Sequence, residues 1–172
     1  RREHKDQTVA AVDAFGREIR PLSTRTKSSL RIDLEREFRD DLRIRIRGDY
    51  MNVSFDEWLE PSDGAMISAE LRLRPLPGLT FVGKVTGYHT GSYDARLYQF
   101  EHDVRGVMLN TVCYGDGIRA YLLSTLRIGR MIEIGARYAV TLRDGARRFG
   151  SGYDAVSGDR LGVLSLQLDA QW

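Results

Sequence analysis

Three residue types that hydrolytic enzymes use together occur in the segment HTGSYD, namely His89, Ser92 and Asp94. A serine nucleophile needs a histidine base and a carboxylate held at hydrogen-bond distance, and proximity in sequence does not supply that geometry. Gly91 and Asp94 also favour turns. We therefore interpret the segment as a polar loop, expect no enzymatic activity, and assign no catalytic residue.

Potential metal ligands occur at positions 101–103, which read Glu-His-Asp, and in the Gly/Asp-rich loops 114–117 and 150–159. Three adjacent side chains point in different directions, so 101–103 is predicted to be a tight turn. Neither loop has the spaced carboxylates of an EF-hand, and a single cysteine excludes a cysteine-based zinc site. We expect no metal site, no cofactor and no identifiable small-molecule substrate.

The composition limits the class of protein. The 172 residues suffice for one domain, and 26 Lys+Arg against 24 Asp+Glu give a net charge of +2, which does not indicate a nucleic-acid partner. Hydrophobic residues make up 42%, which excludes a disordered chain. No apolar run approaches the ~18 residues of a membrane helix. The sequence begins with Arg1 rather than Met, so we interpret it as a processed chain or a fragment of a longer one.

Apolar and polar residues alternate with a period of two through much of the chain. In segment 164–172 every second residue is apolar, from Leu164 to Trp172, and the residues between them are polar, and similar alternation recurs in 132–142 and 65–74. Strict alternation is typical of a strand with one apolar and one polar face, and a helical period of 3.6 does not fit. The sequence therefore predicts an all-β chain built from antiparallel strands.

The polar faces of neighbouring segments carry opposite charges when the segments are paired as hairpins. A turn at 39–41 places four such pairs face to face, and turns at 75–79 and 129–131 add one pair each. Each pair contributes about 0.2–1 kcal/mol, so this charge ladder mainly specifies register. The pairs are Arg31 with Asp49, Asp33 with Arg47, Glu35 with Arg45, Glu37 with Arg43, Glu70 with Lys84, and Arg127 with Glu133; Arg72, Arg137 and Asp169 share the same polar face.

The direction of the apolar face distinguishes two kinds of barrel. It points inward in a soluble barrel, whereas in an outer-membrane barrel it contacts lipid and the charged face lines the lumen. The segments are about ten residues long, which matches strands that cross hydrocarbon at a tilt. Short connections alternate with long ones, as periplasmic turns alternate with extracellular loops. We therefore predict an antiparallel up-and-down transmembrane β-barrel in contact with the lipid of a Gram-negative cell outer membrane.

Residues 1–172 are predicted to form a single barrel portion. We assign a partial strand and a long loop to 1–27, and a contiguous meander of antiparallel strands to 28–172. With a turn at 101–103 this gives about nine to ten strands, which we interpret as the C-terminal part of a larger barrel. Trp172 is the predicted C-terminal insertion signal, through which the last strand would contact the barrel-assembly machinery.

Several segments of the C-terminal half resemble a known family. They are RLYQFEHDVRG (96–106), YGDGIRAYLL (114–123), IGARYAVT (134–141), FGSGYDAVSGDR (149–160) and LSLQLDAQW (164–172). The family is the C-terminal β-barrel of Gram-negative outer-membrane proteins that carry an upstream helix-hairpin-helix, competence-type DNA-binding domain. The resemblance implies an outer-membrane location and a link to DNA uptake or a related envelope task. Nucleic acid would be bound only by a domain absent from this chain.

Three functions stay open at this point. The first is a membrane anchor or conduit of a larger envelope protein, linked to DNA uptake by the resemblance. The second is a porin-like channel for small solutes, and the third is a soluble all-β binding module with its apolar face inward. Arginines of the polar face would favour anions in a channel. The acids on the same face favour paired charges that fill a narrow lumen.

Overall fold

The computed structural model describes residues 1–8, 11–12, 18–19, 22–55, 60–145, 148–149 and 156–170, so Trp172 lies outside the described residues. Where the chain is described, its only helical element is a single 3-10 turn, η1 (Tyr93–Ala95). No helix in these ranges is long and apolar enough to cross a membrane. The strands are β1 (Arg2–Thr8), β2 (Ala11–Val12), β3 (Glu18–Ile19), β4 (Leu22–Arg39), β5 (Leu42–Phe55), β6 (Ser62–Leu76), β7 (Leu79–Thr90), β8 (Leu97–Glu101), β9 (Leu109–Cys113), β10 (Gly117–Ile128), β11 (Ile132–Arg143), β12 (Arg148–Phe149), β13 (Val156–Ser157) and β14 (Arg160–Ala170).

Eight strands form one antiparallel sheet in the order β1-β4-β5-β6-β7-β10-β11-β14. The order follows the chain, so the sheet is a meander in which the skipped strands pair with each other as small two-stranded sheets. Strands β1 and β14 are the two edges, and no ladder joins them within the described residues. The prediction of an antiparallel all-β chain is confirmed, whereas the expected nine to ten strands are reduced to eight in the main sheet.

The predicted register of the charge ladder is confirmed. Along β4 and β5 the four expected pairs face each other, from Glu37 opposite Arg43 to Arg31 opposite Asp49. The single pairs expected between β6 and β7 and between β10 and β11 are also in register. Opposed charges on adjacent strands thus identify strand partners correctly when the connecting turn is short.

The turn between β4 and β5 differs from the expectation. Arg39 pairs with Leu42, so the turn consists of residues 40–41 alone, and a register shift separates Arg39 from Glu37. Phe38 is the extra residue of this bulge, which increases local twist without changing the pairs that precede it. Strand β4 also begins at Leu22, inside the segment expected to be loop.

The two faces of the sheet differ in polarity, and the polar face is the buried one. Large side chains of the apolar face are exposed: Leu34 by 65%, Ile67 by 64% and Leu166 by 72%. The opposite face, which we call the ionic face, carries buried polar side chains such as Thr86 and Arg137, each 1% exposed. This arrangement is the reverse of a water-soluble sheet, whose apolar face packs on a core.

The segment between β7 and β10 leaves the sheet and covers the ionic face. Strands β8 and β9 pair from Leu97 opposite Cys113 to Glu101 opposite Leu109, and we call residues 91–116 the inserted hairpin. The prediction of a tight turn at 101–103 between two spanning strands is therefore wrong. The prediction of a contiguous meander over 28–172 is also wrong, because the inserted hairpin interrupts it. Five-residue strands are too short to span hydrocarbon, and their alternate residues are buried against the sheet.

Two small apolar clusters lie between the inserted hairpin and the ionic face. Along β7 they are separated by Thr86 and Lys84, so buried charges lie between two apolar patches. The first cluster packs η1 and the hairpin strands on the ends of β5, β6 and β7, and the second packs the connection between β8 and β9 on β7, β10 and β11. Their buried members are Met51, Val53, Met66, Tyr88, Ala95, Leu97 and Cys113 in the first, and Val82, Tyr121, Leu123 and Ala139, with Val104 against them, in the second.

Candidate functional site

A single carboxylate, that of Glu101, joins the inserted hairpin to two strands of the sheet. The residue is 0% exposed. Arg119 donates to both carboxylate oxygens, from Nε to Oε1 at 2.5 Å and from Nη2 to Oε2 at 2.9 Å. Arg137 donates from Nη2 to Oε2. Bidentate guanidinium–carboxylate pairs are among the stronger hydrogen-bonded arrangements in proteins, so β8 is bound to β10 and β11 through one side chain.

Gln99 extends this cluster toward β7. Its Nε2 donates to Glu101 Oε1 at 2.8 Å, and its Oε1 accepts from Thr86 Oγ1 at 2.7 Å. Gln99 and Thr86 are each 1% exposed. Burying an amide costs free energy unless its polar atoms are hydrogen-bonded, and both ends of this amide have a partner.

Arg137 also fixes the connection that follows β8. Its Nε donates to the carbonyl oxygen of His102 at 3.1 Å, and its Nη1 lies 3.6 Å from Asp103 Oδ2. Its guanidinium lies 4.8 Å from the ring centroid of Tyr121, within cation–π range. The Tyr121 hydroxyl accepts from the backbone N–H of His102 at 3.2 Å. The start of the connection is therefore attached to both β10 and β11.

Strands β6, β7 and β14 supply further contacts to the hairpin. Lys84 Nζ donates to the carbonyl oxygen of Phe100 at 3.1 Å and lies 3.9 Å from Glu70 Oε2. Glu70 Oε1 lies 3.5 Å from His102 Nε2. On β14, Gln167 Nε2 donates to the carbonyl oxygen of Arg105 at 3.1 Å. With its packing on β5 and a hydrogen bond from Arg25 Nη2 of β4 to the carbonyl oxygen of Asp94 at 3.1 Å, the hairpin contacts seven strands, from β4 to β14.

This arrangement supports binding of the hairpin rather than a chemical reaction. A buried charge without a partner costs several kcal/mol, so Arg119 and Arg137 need an acid once the hairpin covers them. Glu101 meets that need for both. The carboxylate is held by donors on three sides, so it has no free position from which to act on a substrate. The arrangement instead holds the inserted hairpin against the ionic face, which the hairpin covers.

The predicted ladder between β4 and β5 lies beyond the hairpin and is more exposed. Two of its four arginines reach diagonally: Arg43 Nη2 lies 2.5 Å from Glu35 Oε2, and Arg45 binds Asp33. Each of these two contacts the acid two positions further from the turn than the residue directly opposite, because its long side chain leans along the strand. These side chains are about a third exposed, so each pair contributes roughly 1 kcal/mol or less.

Two residues of the predicted ladder lie opposite a like charge. Arg72 is paired across the strands with Arg43, and Asp169 with Glu133. Like charges that face each other directly are destabilising. Asp169 accepts a hydrogen bond from Gln167 at 3.3 Å, whereas no acid contacts Arg72 in the described parts of the chain.

The three hydrolase-type residues are not assembled into a triad. His89 Nδ1 contacts Asp116, not Asp94, and both partners are solvent-exposed. Ser92 precedes η1 without making a side-chain cap hydrogen bond. Gly91 donates from its backbone N–H to the Asp63 carbonyl oxygen at 2.9 Å, next to the last β6–β7 pair. The segment interpreted as a polar loop therefore begins as the end of β7, at His89 and Thr90, and leaves the strand only at Gly91.

The acids at 101 and 103 both contact Arg137, and the first also contacts Arg119. His102, between them, points to Glu70. Among the residues that the structure describes, no three His, Cys, Asp or Glu side chains lie close enough to hold a metal ion. The two carboxylates and the imidazole of 101–103 therefore attach the hairpin to the sheet.

Cys113 ends β9 and lies 1% exposed in the first apolar cluster. Burial, reinforced by the nearby Glu101 carboxylate, raises the pKa of its thiol to about 12. The thiol is therefore protonated and weakly nucleophilic near neutral pH, as expected of a residue that contributes to packing.

Sequence reasoning missed Gln99, Glu101 and Arg119 as one cluster. The signal was present in the segment LYQFE, where Leu97, Gln99 and Glu101 share one face. That alternation was assigned to a spanning strand because hairpins on the sheet and strands within it have the same period. The short length of the segment was the available indication that it leaves the sheet.

A comparison of the chain with protein-family models, with curated proteins and with solved structures gives no match. The class of protein is therefore defined by the fold itself, as an eight-stranded antiparallel meander with an exposed apolar face and an inserted hairpin on its ionic face.

Proposed function

We propose that this chain is the membrane-embedded sheet of a Gram-negative outer-membrane protein, with lipid against its apolar face. The observation that supports this is the inverted burial of the two faces: Leu166 is 72% exposed, whereas Arg137 is 1% exposed. In an outer-membrane barrel the lipid-facing side chains are apolar and the enclosed side chains are polar. In water the same distribution would expose the apolar face to solvent, which is unfavourable.

The size of the exposed apolar surface favours lipid over water. Soluble monomers rarely expose a contiguous apolar patch above roughly 300–600 Å², whereas ten large apolar side chains of this face are each at least 40% exposed. They extend across the sheet from β4 to β14, so a small docking patch does not account for them. Exposed members include Leu34, Ile46, Ile67, Val85, Leu122, Ile134, Tyr138, Leu164, Leu166 and Leu168.

The two open edges add a requirement. A lipid environment offers no hydrogen-bond partner for the free backbone groups of an edge strand, so only closed sheets span membranes. Strands β1 and β14 are edges here. The proposal therefore includes further strands of a longer protein that close the barrel between them, in line with the prediction of a larger barrel.

Within the membrane we assign the chain the role of an anchor for a larger envelope protein rather than of an open pore. The inserted hairpin supports this because it contacts seven strands on the face that would line the lumen. The resemblance to barrels of helix-hairpin-helix proteins adds a link to DNA uptake. In that case DNA would contact the other domain, and the last strand would be recognised by the barrel-assembly machinery.

Fluorescence quenching by brominated lipid tests which face of the sheet contacts lipid. In a Cys113→Ser background, Leu164→Cys and Ser165→Cys place single thiols on opposite faces of β14. Each variant is labelled with a bimane fluorophore and reconstituted in vesicles that contain brominated lipid. We expect strong quenching at position 164 and weak quenching at 165, since bromine atoms on acyl chains reach only the lipid-facing side.

Equal quenching at the two positions, or recovery of the chain in the soluble fraction without detergent, would contradict the proposal. The porin-like alternative is separated by planar-bilayer conductance. A steady open current would favour a channel, and silence together with face-selective quenching would favour the anchor.

A further inference from the structure

One cleft on the ionic face is lined by cations that the hairpin does not neutralise. It lies between the end of β6 and the end of β10, beside the turn that joins β6 to β7, and has a volume of about 430 Å³. Arg72, Arg74 and Arg127 line it, and Asp103 is the acid in its wall. Asp103 already lies against Arg137, and Arg127 against Glu133.

Arg72 and Arg74 are the cations of this cleft that have no salt bridge within the described residues, and they also line a smaller cleft with Glu37, Asp40 and Asp41. In the ranges that the structure describes, neither guanidinium lies within salt-bridge distance of an acid. Arg72 is also directly opposite Arg43, so the local sequence concentrates positive charge instead of alternating it. Like charges that face each other repel, and an anion bound between or beside them would offset this repulsion by attracting both.

We propose that this cleft binds a phosphoryl group. Guanidinium groups present planar pairs of N–H donors that match the oxygens of phosphate. Two of them on the same face of β6 supply these donors and the positive charge. Thr80 and Thr125 add hydroxyl donors to the same wall. Val82 and Leu123 form an apolar part of the lining that would suit the substituent of a phosphate ester.

The site does not depend on the proposed membrane location. It is built on the ionic face, which is covered by the hairpin whatever solvent meets the apolar face. Failure of the lipid-quenching experiment would leave the cleft intact, and failure of phosphate binding would leave the membrane proposal intact.

Phosphorus-31 NMR titration of the purified full chain in detergent tests the site. Inorganic phosphate and dimethyl phosphate are the two probes, because the first represents free phosphate or a monoester and the second represents a phosphodiester. We expect at least one probe to bind in a saturable way, and Arg72→Gln or Arg74→Gln to weaken binding about tenfold or more. Arg36→Gln is the matched control, since Arg36 lies at the same end of the sheet but on its apolar face, over Phe38.

Thermal unfolding separates loss of the site from loss of the fold. Without phosphate, Arg72→Gln should unfold at the same temperature as the parent chain or a higher one, because it removes the opposed pair with Arg43. Phosphate should raise the unfolding temperature of the parent chain more than that of Arg72→Gln at the same concentration. The proposal fails if neither probe binds, if Arg36→Gln weakens binding as much as Arg72→Gln, or if Arg72→Gln binds phosphate unchanged.

Discussion

At the scale of single residues, Glu101 has the largest expected effect. It is fully buried and is the hydrogen-bonded acid of both Arg119 and Arg137. Glu101→Gln keeps the size of the side chain but removes the charge, which leaves Arg119 without an anion and Arg137 with Asp103 alone. We expect the free energy of unfolding to fall by about 3–5 kcal/mol, measured by urea unfolding of the detergent-folded chain.

The matched control for this substitution is Glu3→Gln. Glu3 is 55% exposed and lies 3.8 Å from Arg1, so its removal should change the free energy of unfolding by less than about 0.5 kcal/mol. If the two variants are equally stable, Glu101 is not what attaches the hairpin to the sheet.

Cys113 provides a second prediction at this scale. Because burial raises the pKa of its thiol to about 12, the thiolate fraction is small near neutral pH and grows only as the pH approaches that value. We expect iodoacetamide to label the folded chain slowly at neutral pH, and faster after unfolding in SDS. Equal labelling rates in the folded and unfolded chain would show that the hairpin does not cover this thiol.

At the scale of elements, the packing of the inserted hairpin on the sheet depends on a glycine in β6. A Cβ added to Gly64 would lie 2.5 Å from the carbonyl oxygen of Ala95 at the end of η1, and a backbone atom has little room to move. Gly64→Ala should therefore displace η1 and destabilise the chain by about 1–3 kcal/mol, measured as a lower urea midpoint. In β7, Gly87→Ala meets nothing within 4 Å and serves as the control.

The elements also show how far sequence patterns extend. Alternation predicted the strands, and opposed charges predicted the partners of β4 with β5, β6 with β7 and β10 with β11. Both signals are local, because each hairpin joins strands across a short turn. The same alternation in β8 was assigned to the sheet, since a period of two says which residues share a face but not which surface that face meets.

At the scale of the whole molecule, the proposed lipid contact predicts an asymmetry between the faces of β14. Leu166→Arg places a charge on the apolar face and should destabilise the bilayer-inserted chain by about 2–4 kcal/mol near the membrane centre. Gln167→Arg places the same charge on the ionic face, where Gln167 already donates to a backbone carbonyl, and should cost less. Folding titrations into lipid vesicles measure both, and equal losses would contradict lipid contact.

The sequence by itself determined the strands, their two faces and the register of three hairpins, because these depend on residues that are close along the chain. Only the tertiary structure decided that β8 and β9 leave the sheet and cover its ionic face. That choice rests on hydrogen bonds that Glu101 accepts from Arg119 and Arg137, which lie 18 and 36 residues further along the chain. Contacts between residues so distant in sequence leave no local pattern, so the sequence alone did not predict them.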